Sequence, residues 1–189
     1  MSRDVRRREK KVYALTMTAL MSAVTCVLAP LAIPIGPVPV TLVNLVICLS
    51  LYLLGGRLAF FSCLVYVLLG LAGMPVFAGF TGGAGKLLGP TGGYILGYLV
   101  LAAASGVFVD RFDSRVLHGA GMVLGTALCY VLGTVWYCIS AQTTAAAALT
   151  LCVLPFIPGD AVKIGVALTL GPVLRTRLEK AGLLQKNRM

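Results

Sequence analysis

The sequence predicts an all-α, polytopic membrane protein, with six transmembrane helices in one bundle and both termini in the cytoplasm. Three observations carry that expectation: apolar composition, long uncharged runs and a one-sided distribution of Lys and Arg. Of 189 residues, 59% are hydrophobic and 12% charged, about half the ~25% of a water-soluble domain. Mean hydropathy is +0.95. Residues 12–33, 91–109 and 116–139 carry no Asp, Glu, Lys or Arg. Runs of ~20 apolar residues cross a bilayer core of about 30 Å as helices, and a helix satisfies its own backbone in lipid. No segment alternates as barrel strands do.

The elements follow in order. The basic start MSRDVRRREKK resembles the front of a secretory signal. The apolar run after it is too long for one, and no small-residue cleavage site follows, so 12–31 reads as a retained first helix. Two shorter runs, 40–54 and 58–72, meet at Gly55-Gly56-Arg57. The remaining helices are expected at 91–109, 116–139 and 156–178. The domain expectation is a basic cytoplasmic tail (1–11), a six-helix substrate-binding domain (12–178) and a second cytoplasmic tail (179–189). That division leaves no room for a soluble catalytic domain.

Sixteen residues are Lys or Arg and six are Asp or Glu. With the N-terminus inside, every basic residue except Lys86 and Lys163 falls in the tails or the inner loops, including Arg57, Arg111, Arg115, Arg175, Lys186 and Arg188. This is a positive-inside pattern. The net charge of +10 is then a topology signal and an attraction to anionic lipid, not a nucleic-acid footprint. The six cysteines stand singly, with no CxxC spacing, and read as small buried hydrophobes. No metal or cofactor site is expected.

Two segments stand out. Residues 74–94, MPVFAGFTGGAGKLLGPTGGY, hold seven glycines. The segment is too long for a tight turn and too apolar for a solvated linker, so it reads as a loop that covers a ligand; a plain re-entrant packing segment is the alternative. Downstream, PFIPGDAVKI places Asp160 and Lys163 on one helical face. At 1.5 Å per residue they stand about 22 and 18 Å from Arg175, in the outer half of the membrane. A charge at that depth costs about 2.5–3.5 kcal/mol even on the lenient scale, so it normally faces a cavity or a partner. The pair offers an acceptor beside a donor. A purely structural reading stays open: the carboxylate complements the helix N-terminus and the lysine snorkels outward.

No catalytic constellation is present, and no enzyme activity is expected. His118 is expected at the cytoplasmic interface. GGAGK at 82–86 lacks the phosphate-loop spacing, with Phe80 and Leu87 where glycine and a hydroxyl belong.

GMPVFAGFTGGAGKLLGPTGGYILGY (73–98), PFIPGDAVKI (155–164) and IPIGPVPVTLVNL (33–45) together resemble the BioY family, the biotin-specific substrate-binding subunits of energy-coupling factor transporters. The resemblance covers the chain from about residue 12. It implies a plasma-membrane six-helix bundle that binds biotin near its extracellular side. It also implies a membrane-embedded coupling protein and two cytoplasmic ATPases as partners. By the same resemblance Asp160 and Lys163 meet the ureido ring, and the glycine segment closes over the ligand. Phe77, Phe80 and Tyr94 are then candidates to cover the thiophane ring and alkyl tail. Gly82, Gly83, Lys86 and Tyr94 are candidates for the carboxylate. Ala19-x-x-x-Ala23 on the first helix resembles the small-residue pair such subunits turn toward the coupling protein; internal packing is the alternative. Another vitamin, thiamine or riboflavin, and a membrane scaffold or small enzyme remain as other readings.

Overall fold

The structure, a computed structural model, describes residues 3–34 and 37–182. Lys186 and Arg188 of the expected C-terminal tail lie outside the described residues. The chain is helical: α1 (Arg3–Leu28), α2 (Val43–Leu54), α3 (Gly56–Leu71), α4 (Ala84–Leu88), α5 (Gly92–Arg111), α6 (Arg115–Ala141), α7 (Ala145–Cys152) and α8 (Ile157–Lys180). Four of these, α1, α5, α6 and α8, are long and apolar enough to cross a membrane, and α2 and α3 are shorter apolar helices. At 1.5 Å per residue, the 12 residues of α2 and 16 of α3 span roughly 18 and 24 Å.

The six expected apolar helices are present with shifted ends. Helix α1 takes in much of the basic segment, since nothing between Arg3 and Leu28 breaks it. Two short helices were not expected. Thr144 caps α7, accepting from the Ala147 N–H at 3.4 Å, ahead of an alanine run of high helix propensity. Helix α4 sits within the glycine segment.

Packing relies on small residues, as expected where lipid removes the hydrophobic drive between helices. Gly55 has φ +82° and joins α2 to α3 in a single residue. A Cβ on Gly56 would lie 2.6 Å from the Gly106 Cα, so α3 and α5 touch backbone to backbone. Gly121 and Gly125 of α6 likewise receive Phe108 and Ser105 of α5. Ser22 of α1 donates to the Ser62 carbonyl of α3 at 2.9 Å. Large apolar side chains such as Val27, Val116, Val131 and Ile139 face outward.

One end of the bundle is tied by polar contacts. The Asp110 carboxylate accepts from the Gly56 N–H at 2.8 Å, and Arg175 donates to the Tyr52 carbonyl at 3.3 Å. His118, expected at an interface, is buried. Its Nε2 donates to the Phe112 carbonyl, which can only accept, and its Nδ1 is hydrogen-bonded to the Tyr52 hydroxyl at 3.2 Å. The ring turns inward, away from the expected interface, because the α5–α6 turn supplies a carbonyl for it. This end gathers the neighbourhoods of Arg57, Arg111, Arg115 and Arg175.

Gly56→Ala must push α3 from α5, and overpacking of this kind costs about 1–3 kcal/mol. Thermal unfolding in detergent should show a lower midpoint. Gly165→Ala, in α8 with nothing within 4 Å of the new methyl, should leave it unchanged or raised.

Candidate functional site

The opposite end holds the buried charges. Pro158 lies in the first turn of α8, where a missing N–H costs no helical bond. Asp160 follows, its N–H on the Phe156 carbonyl at 2.8 Å. The residue is 7% exposed, and its carboxylate stands where the helix dipole favours a negative charge. Oδ1 pairs with the Lys163 ammonium at 2.8 Å, while the Tyr130 hydroxyl of α6 donates to Oδ2. Lys163 also donates to the Thr41 carbonyl at 2.8 Å. The lysine therefore points into the protein, and outward snorkelling is ruled out.

These groups border a narrow cleft made of two adjoining hollows. The first, of about 40 Å³, is lined by Asn44, Cys129, Tyr130, Cys152, Phe156, Asp160 and Lys163. The second, of about 30 Å³, is lined by Val43, Tyr66, Ala78, Lys86, Thr91 and Ile95. Val38, Pro39, Thr41, Tyr94 and Tyr98 wall both. Tyr94 and Tyr98 stand one turn apart on α5 and are held by hydroxyl contacts, Tyr98 with Thr41 Oγ1 and Tyr94 with Thr134 Oγ1, each 3.1 Å. Each hollow is close to the ~30 Å³ share of one water. Organic ligand pockets run to about 300–1,000 Å³, so a ligand must part the walls.

Chemically, the cleft is an aromatic slot with charge at both ends. Lys163 uses two of its three N–H donors, and each Asp160 oxygen keeps an open lone pair. The first hollow thus offers a carboxylate acceptor beside an ammonium donor. Lys86 supplies positive charge at the second. A larger groove of about 450 Å³ lies on the outer surface between α3 and α5, lined by Phe60, Leu99, Val100, Ala103, Ala104 and Val107. It offers no polar group to orient a polar ligand.

The glycine segment is a folded cap. Phe77 and Thr81 pair their backbones across a turn at Gly79 and Phe80, both with positive φ. The Gly79 N–H bonds the Pro30 carbonyl at 3.1 Å, and the Gly83 N–H bonds the Gly70 carbonyl at 2.7 Å. Trp136 of α6 donates to the Gly89 carbonyl at 3.0 Å. The candidates in this segment separate. Lys86 reaches the cleft, as does Tyr94 at the start of α5. Phe77 does not: it is fully enclosed, edge-on to Tyr66, in a slot that a side chain at Gly70 would fill. Phe80 is 66% exposed at the turn tip. Gly82 packs on the Met74 carbonyl, and Gly83 starts α4 with φ +89°. Phe77, Phe80, Gly82 and Gly83 shape the cap and line neither hollow.

Sequence reasoning missed Thr41, Asn44, Tyr98 and Tyr130. Their signal was present: one amide inside 40–54, a tyrosine one turn after Tyr94, another inside 116–139. Each stands alone among apolar neighbours, with no charge to mark it. Among the described residues no cluster of His, Cys, Asp or Glu could hold a metal ion, and the six cysteines are free.

The profile of the BioY family matches residues 2–180. The biotin transporter BioY2 of Lactococcus lactis subsp. cremoris is 40% identical over 154 residues, covering 81% of this chain and 85% of its own. A probable biotin transporter BioY of Pyrococcus horikoshii is 37% identical over 165 residues, covering 87% and 98%. A crystal structure of the S-component for biotin from an ECF-type ABC transporter superposes with a TM-score of 0.81 at 30% identity, covering 93% of this chain and 95% of that one.

Removing one partner of a buried ion pair strands the other, at about 3–5 kcal/mol. Lys163→Met should destabilise the protein by that order in detergent unfolding. The double change Asp160→Asn with Lys163→Met should recover most of the loss, because no charge is left without its partner.

Proposed function

We propose, because this chain belongs to the BioY family, that it is the biotin-binding subunit of a vitamin uptake transporter and not an enzyme. The observation that carries the reading is the buried Asp160–Lys163 pair on the wall of a cleft beside the glycine segment. Biotin's ureido ring presents N–H donors and a carbonyl acceptor. Asp160 accepts an N–H in a charge-assisted bond, and Lys163 donates to the carbonyl. Tyr94 and Tyr98 form the apolar wall for the bicyclic ring and tail. Lys86 meets the carboxylate at the other end of the cleft. Entry requires the stretch around Val38–Thr41 and the glycine cap to move apart, since both border a cleft too small for the vitamin.

Residues 12–178 form the substrate-binding domain in this reading, with α1, α2, α3, α5, α6 and α8 crossing the cell membrane and a basic tail at each end on the cytoplasmic side. Support comes from the gathering of Arg57, Arg111, Arg115 and Arg175 at the end of the bundle away from the cleft, which makes that end cytoplasmic by the positive-inside rule. The cleft then opens outward. Energy comes from a membrane-embedded coupling protein and two cytoplasmic ATPases. Ala19 and Ala23 are exposed on α1, on the side away from buried Thr18, Met21, Ser22 and Thr25. They are free for close helix contact with the coupling protein.

Purified chain should retain labelled biotin at one site per chain and convert none of it. Asp160→Asn and Lys163→Ala should each weaken binding roughly tenfold to a hundredfold, as loss of a charged hydrogen bond does; wild-type affinity in both variants would remove these roles. Ala19→Leu with Ala23→Leu should leave biotin binding intact and reduce co-purification with the coupling protein. Undiminished co-purification would place the partner elsewhere.

A further inference from the structure

Asn44 lines the first hollow, but no contact to the ligand has yet been given to it. It lies three residues after Thr41, near the start of α2, and lines the same hollow as Asp160 and Lys163. The residue is 5% exposed. Its Oδ1 accepts only the Cys48 thiol at 3.7 Å, a weak donor. Among the described residues its Nδ2 meets no acceptor. Polar groups inside a protein are mostly partnered within it, so this amide on a cavity wall keeps bonding capacity that a ligand can use.

We infer that Asn44 is a ligand-binding and specificity-determining residue, whose carboxamide oxygen accepts the second ring N–H of the bound cyclic urea. The inference rests on the biotin reading above and adds a third polar contact to it. Lys163 is the central element: it bonds Asp160 on one side and the Thr41 carbonyl on the other. Asp160, Lys163 and Asn44 therefore offer one hollow a carboxylate acceptor, an ammonium donor and an amide that can accept. A cyclic urea presents the complement, N–H, C=O, N–H, along one edge. Its two N–H bonds diverge to opposite sides of the carbonyl. With Lys163 on that carbonyl, the Asp160 carboxylate serves one flank and cannot serve the other. Asn44, in the same hollow and with only a thiol as hydrogen-bond partner, is the group assigned to that second flank. The planar amide can present oxygen or nitrogen by turning over, and a donor in the ligand selects oxygen. A site with groups built to pair with a ligand N–H rejects analogues lacking it, which makes Asn44 a discriminator between a urea and a lactam.

The test compares biotin with its two lactam analogues, each with one ring N–H replaced by CH2, on purified chain in detergent. Wild type should bind both lactams at least roughly tenfold more weakly than biotin, since each loses one hydrogen bond to a buried group. Asn44→Leu should weaken biotin by roughly tenfold to a hundredfold, abolish the penalty for one lactam and keep the penalty for the other, whose missing N–H belongs to Asp160. A loss shared equally by all three ligands is a packing effect and overturns the inference, as does unchanged biotin affinity in Asn44→Leu. If that variant does not fold, wild type decides alone: equal affinity for biotin and either lactam overturns the inference, and weaker binding of both supports it. Failure of the wild-type chain to bind biotin at all sinks the biotin reading and this one with it, a result seen before any variant is made.

Discussion

Two opposite charges held out of water organise this protein. Taking a carboxylate and an ammonium into a low-dielectric interior costs several kcal/mol per ion after relaxation, and mutual attraction alone seldom offsets it. Here the remaining bonding capacity is used as well. Tyr130 reaches Asp160 from α6, the Thr41 carbonyl reaches Lys163 from the stretch before α2, and the first turn of α8 adds its dipole. Three parts of the chain meet at one ionic contact. The cleft lies where it does because these parts converge there without closing completely.

The other end of the bundle is fixed by a different set of polar ties. Tyr52 of α2 uses its carbonyl for Arg175 of α8 and its hydroxyl for His118 of α6. Helices α2 and α8 are thus fastened twice, near residues 41 and 163 and again near residues 52 and 175. Between the fastenings they share an apolar core that includes Cys48, Leu51, Ile164 and Ala167. Lipid gives helices little hydrophobic reason to associate. Paired polar ties and glycine contacts such as Gly56 on Gly106 supply the specificity instead.

The sequence made the helical class legible, along with the Asp160–Lys163 pair, because each is a local property of spacing or composition. The six apolar helices were readable to within a few residues at most ends. What stayed hidden was tertiary. The inward turn of His118 depends on the Phe112 carbonyl. The burial of Phe77 depends on a missing side chain at Gly70, a partner seven residues away across a loop. Tyr130 and Asn44 sit in runs whose apolar neighbours mask them, and only the approach of α6 and α2 to α8 brings them to one cavity. Aromatics in the glycine segment looked like ligand cover by composition. In the fold Phe77 and Phe80 line neither hollow, while Tyr94, at the end of that segment, and Tyr98, one turn on, wall both.

The lysine's grip on residue 41 is a bond to main chain. Every amino acid carries that carbonyl, so exchanging the Thr41 side chain leaves the acceptor in place. The lysine's hold is therefore indifferent to which side chain stands at 41 provided the path is kept, although Thr41 Oγ1 has its own contact with Tyr98. A scan of single replacements there would pass over this latch, while an insertion or deletion, which moves the backbone, would expose it at once.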